Sequence, residues 1–64
     1  MTPDELRAAA IEIYGSRGWV GALATRLGKD RSQIWRYLRG EAPIPVLVAE
    51  AVAGDLKSKR STNR

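Results

Sequence analysis

Residues 20–39 read VGALATRLGKDRSQIWRYLR, and the spacing of apolar and small side chains within them decides the fold. With Trp19 in front, Val20, Leu23, Ala24 and Leu27 share one side of a helix predicted over about Trp19 to Leu27, and Gly28 supplies its stop. Lys29 and Asp30 follow. Asp30 stands three residues before Gln33, the spacing of a capping box, so a new helix is expected from Arg31 to about Arg39, ended by Gly40. At about 100° per residue, Ile34, Tyr37 and Leu38 point one way, and Ser32, Trp35, Arg36 and Arg39 point the other. Ala24 is small where the two helices must cross. Leu23, Leu27, Ile34 and Leu38 supply the apolar contact that fixes their angle.

Working outward, Thr2-Pro3-Asp4-Glu5 has the pattern of a helix start, with Thr2 as cap, Pro3 in the first helical position and Glu5 closing a capping box. The helix is expected from Pro3 to Tyr14, burying Leu6, Ala9, Ala10 and Ile13. Gly15-Ser16-Arg17-Gly18 breaks it. Beyond the central stretch, Glu41 to Pro45 is a connector, and Pro45 is expected to open a fourth helix ending near Ala53 or Leu56. Pro45, Val48, Ala49, Val52 and Leu56 share a face of that helix. Leu47 and Ala51, with Val46, fall outside it and lack a place in a monomer core. Residues 57–64 contain no apolar side chain and are expected to form a disordered basic tail. The reading is an all-α, four-helix domain over residues 1–56; no alternating run suggests a strand.

Composition narrows the chemistry. The chain has 64 residues, no Cys and no His, which closes the disulfide route and the usual zinc and thiolate or imidazole routes. A large enzyme fold is excluded by length, and no enzyme, metal, cofactor or small-molecule ligand is expected. Asp4 and Glu5 stand where a secretory leader would be basic, and no apolar stretch reaches the ~18 residues of a membrane span, so a soluble cytoplasmic protein is expected. The net charge of +4 is unevenly placed: −2 over residues 1–16, +5 over 17–39, −3 over 40–56 and +4 over 57–64. A basic middle between acidic flanks implies a charged face, and a polyanionic nucleic acid is the partner that such a face most often meets.

Two short helices joined by a three-residue turn, the second basic on its outer side, form the pattern of a helix-turn-helix that lays its second helix in the DNA major groove. LATRLGKDRSQIWRYLRGEAPIP resembles the corresponding run of the small Cro-type, lambda-repressor-like (Xre-like) helix-turn-helix regulators of bacteria and their phages. The shared features are Leu-Ala, a Leu-Gly turn, a polar cap, Ser, a central Ile and a Gly ending the recognition helix. The resemblance covers about Trp19 to Val52. It departs at Lys29, where the family often has an apolar residue, and in leaving little length for a fifth, dimerising helix. It implies a lambda-repressor-like fold, sequence-specific binding of double-stranded DNA, and base-facing roles for Arg31, Ser32 and Arg36 with Trp35 and Arg39 beside them. The helical wheel selects Ser32, Trp35, Arg36 and Arg39 independently.

Arg36 is the first candidate for bidentate recognition of guanine, and Arg31, in the first turn, either reads a base or holds a phosphate. Trp35 either lies against thymine methyls and sugar or folds back as a half-buried packing residue. Arg17, Arg26, Lys29, Gln33, Arg39, Lys57, Lys59 and Arg60 are candidates for phosphate contact. Val46, Leu47 and Ala51 are candidates for a homodimer interface, which with an inverted-repeat operator makes a transcriptional repressor the expected function. Two rivals use the same fold: a protein-interaction module that sequesters another regulator, and an accessory DNA-bending or excision factor. The GXXG of residues 15–18 also occurs in RNA-binding KH domains, but that fold requires a sheet.

Overall fold

Thr2 starts the first helix as its spacing predicts. Its Oγ1 accepts from the Glu5 amide at 3.1 Å while its own amide donates to Glu5 Oε1 at 2.8 Å, so two otherwise orphaned donors are satisfied reciprocally. The same contacts, the backbone one first, hold the Glu5 carboxyl below its ordinary range. The computed structural model describes residues 1–62, all-helical in its regular structure: α1 Pro3–Tyr14, α2 Trp19–Leu27, α3 Arg31–Leu38 and α4 Val46–Thr62. Pro45 lies one residue outside α4 rather than opening it. Its carbonyl accepts the Ala49 amide at 3.0 Å, which is the role of the residue preceding a helix.

The turns after α2 and α3 are built alike. The Lys29 amide reaches back to the Ala24 carbonyl and the Gly28 amide to Thr25; the Glu41 amide reaches Arg36 and the Gly40 amide Tyr37. Both are Schellman motifs, which need a left-handed residue just past the helix. Gly28 at φ 66° and Gly40 at φ 76° supply it. This closure leaves Arg39 as the cap of α3, one residue short of the expected helix end.

The largest fully buried side chains come one from each helix, Leu6 from α1, Leu23 from α2, Ile34 from α3 and Val52 from α4, and Ala10 of α1 is fully buried as well. Trp19, Ala24, Tyr37, Leu38 and Val48 complete the core together with Ala9. α1 packs against the other three helices, and α2 against α3. Ala24 is buried on α2.

The largest difference from the sequence reading is at the C-terminus. α4 does not stop near Leu56 but runs to Thr62, through residues expected to be disordered; residues 63–64 lie outside the described residues. The last turn of α1 contains no basic residue of its own, and α4 supplies two. Lys59 Nζ donates to the carbonyls of Glu12 at 2.5 Å and Ile13 at 3.0 Å, and Arg60 grips the Glu12 carboxylate at 2.7 and 3.1 Å. Cations at a helix C-terminus satisfy its open carbonyls and complement its dipole.

Gly54 sits inside α4, and a Cβ placed on it meets nothing within 4 Å. Gly54→Ala is therefore expected to stabilise the domain by about 0.5–1 kcal/mol through helix propensity alone. A thermal melt checks this: the midpoint rises by several degrees, and an unchanged midpoint would mean that α4 does not continue through residue 54 in solution.

Candidate nucleic-acid interface

α3 is anchored by Ile34, Tyr37 and Leu38, all buried. A helix held on that side must turn its remaining positions outward. Arg31, Ser32, Trp35, Arg36 and Arg39 are all exposed along α3 and its cap, and Gln33 is half-buried at the edge. The row chosen from the helical wheel is thus a single solvent-facing strip. Among the described residues, Arg36, Arg31, Lys29 and Arg17 enter no ion pair. Arg39 approaches Glu41 only at 3.8 Å with both side chains largely in water, a pairing of little energetic weight.

Trp35 is in part the half-buried packing residue that was one of its two alternatives. It is 39% exposed, and its ring lies 6.3 Å from that of buried Trp19 at a 59° tilt, so the side chain is partly packed and partly in water. Over the same Trp19 ring, 6.0 Å from its centroid, lies the Arg7 guanidinium, a cation–π placement. Arg7 lies in the net-acidic N-terminal segment. No spacing rule joins it to Trp19, because the contact forms between helices.

The expected box at the start of α3 does not form. Asp30 has the extended backbone of an N-cap, but its side chain makes no capping hydrogen bond. The Gln33 amide that it would cap is directed instead to the Asp30 carbonyl at 3.1 Å, a 3₁₀-type closure that uses the same N–H. The Arg31 guanidinium lies against α2 at Gly21.

Several candidate phosphate contacts are engaged within the protein. Arg26 is held bidentately by Asp55 at 2.7 and 3.1 Å, Arg60 by Glu12, and Lys59 by the end of α1. These cations serve to fasten α4 onto α1 and α2. Hydrogen bonding to the partner carboxylate pushes both guanidiniums up from their ordinary range and pulls the Glu12 carboxyl down. Lys57 stays exposed on α4.

The depressed Glu12 carboxyl gives a pH test. A group whose folded value is lowered stabilises the fold above its unfolded value, near 4.3 for Glu, and loses that contribution as pH falls through the folded value. Acidification below about pH 4 is therefore expected to loosen residues 57–62 in advance of the core. Protection of the amides in that segment, taken against the intrinsic exchange rate at each pH, should fall with acid in the wild type and stay nearly level in Glu12→Gln, where it is already low at neutral pH. Equal protection in the two proteins at neutral pH would show that Glu12 does not hold the segment.

On α4, Val46 is 70% and Leu47 79% exposed, as expected of residues outside the core; Ala51 is half-buried. Leu47 and Ala51 edge a shallow groove with Arg26, Leu27, Lys29 and Pro45. Among the described residues, no helix is long and apolar enough to cross a membrane. Comparison of the chain with protein-family models, with curated proteins and with solved structures finds no match.

Proposed function

We propose that this chain is a cytoplasmic, sequence-specific binder of double-stranded DNA: a lambda-repressor-like transcriptional regulator, acting as a homodimeric repressor with α3 as recognition helix. One observation carries the reading. Ser32, Trp35, Arg36 and Arg39 form an exposed strip on a helix whose opposite side is fixed in the core. A rigidly mounted helix of that kind, basic and with one aromatic edge, suits a groove that presents guanine acceptors and thymine methyls. Arg36 is assigned to base reading together with Ser32 and Trp35. Arg17, Lys29, Gln33, Arg39 and Lys57 are assigned to phosphates, since Arg26, Lys59 and Arg60 are already engaged. Val46, Leu47 and Ala51 are assigned to the dimer contact, which would set two copies of α3 about 34 Å apart.

Selection of bound duplexes from a random pool tests the whole reading. An inverted repeat with half-sites one helical turn apart is expected, with binding that weakens steeply between low and physiological salt. Recovery of no preferred sequence would remove the regulator reading. Salt-insensitive association with a protein would favour the sequestering module.

A further inference from the structure

We propose that Gly21 is a positioning residue for Arg31, and that the seat it provides makes Arg31 a contact to the DNA backbone and not a reader of bases. This rests on the DNA-binding reading above. Gly21 is the third residue of α2. A Cβ built on it would lie 2.9 Å from Arg31 Nη2, 3.1 Å from Nε and 3.3 Å from Cζ. Three guanidinium atoms at nearly one distance mean that the planar group lies across the glycine Cα, in space that any other residue would fill. Gly is otherwise a poor choice inside a helix, and Gly21 does not have a left-handed backbone that would require it. What its missing side chain achieves is the close approach of Arg31.

The consequence follows from which helix the guanidinium rests on. In a helix-turn-helix docked on DNA, the second helix enters the groove while the first crosses the backbone. Arg31 belongs to α3 by sequence, but its guanidinium rests on α2 at Gly21, the helix that in such a docking crosses the backbone. No carboxylate among the described residues holds it there. A long side chain with a seat loses less freedom on meeting a phosphate than one that roams.

Gly21→Ala, Arg31→Ala and the double variant test this against two short duplexes, one carrying the selected sequence and one of random sequence, over a salt series. Arg31→Ala is expected to weaken binding to both duplexes by one common factor, about three- to tenfold, and to lower the salt slope by about one. Gly21→Ala should give a similar loss with a melting temperature as high as wild type or higher, because the atom it displaces is the end of a flexible side chain. The double variant should bind like Arg31→Ala alone. A more stable protein that binds more weakly, with no further loss in the double variant, is a result that damage to the fold does not produce. Unchanged binding by Gly21→Ala overturns the positioning role, and a loss in Arg31→Ala confined to the selected duplex overturns the backbone role. Absence of wild-type binding to either duplex overturns the underlying reading as well.

Discussion

Arg36→Ala is expected to lower affinity for the selected duplex by about 1–3 kcal/mol, roughly five- to a hundredfold or slightly more, while the melting temperature changes little. The two halves of that expectation have separate causes. Arg36 is exposed and makes no ion pair among the described residues, and Arg and Ala are both good helix formers, so its removal leaves the fold almost untouched. The Arg36 carbonyl, which closes the α3 turn by accepting from Glu41, is retained in the variant. Affinity depends on the side chain because a guanidinium donates two parallel hydrogen bonds to guanine O6 and N7, a pair of adjacent acceptors that no other base edge offers in the major groove. Discrimination should therefore fall along with affinity, and Arg36→Lys should recover charge but not the paired geometry. Gel retardation on the selected and random duplexes decides between roles. Equal losses on both would make Arg36 a phosphate contact, and no loss on either would place it outside the interface.

The parts of this architecture that could be read from the sequence are those set by neighbours. The Thr2 and Glu5 pair, the glycine stops after Leu27 and Arg39, and the inward side of α3 each depend on residues within four positions of one another, where helical geometry fixes who meets whom. The parts that could not be read depend on partners far along the chain. Residues 57–62 look disordered when judged by their own lack of apolar side chains. They are helical in the structure, where Lys59 and Arg60 find acceptors at Glu12 and Ile13, on a helix that the intervening chain brings alongside. Arg26 has the look of a free surface cation until α4 brings Asp55 to it. Arg31 and Gly21, or Trp35 and Trp19, are likewise joined by the crossing of α2 and α3. The failed box at Asp30 is a different case: the local signal was present, but a backbone carbonyl took the amide first.

Ile34→Ala is expected to cost about 2–5 kcal/mol in a domain of this length whose whole stability is roughly 3–10 kcal/mol, and so to leave much of the protein unfolded. Ile34 is fully buried and is the α3 member of the set of large fully buried side chains that includes Leu6, Leu23 and Val52. Truncating it removes methyl groups from a fully buried point on a helix that packs against both α1 and α2, so α3 cannot shift to fill the gap without opening another contact. Ile34→Val keeps the branched shape, should cost only about 0.5–1.5 kcal/mol, and serves as the graded control. Urea unfolding reads both; an alanine variant melting with the wild-type midpoint would mean that α3 is not packed through this residue. The same variant links folding to the interface. A ligand that binds only the folded state, supplied at about a hundred times its Kd, contributes about 2.7 kcal/mol, which is comparable to the loss. Excess selected duplex should therefore restore helicity to Ile34→Ala, and the same duplex should fail to do so once Arg36→Ala is added. Restoration by the duplex regardless of Arg36 would mean that charge alone draws the chain to DNA, whether or not α3 is in place to read it.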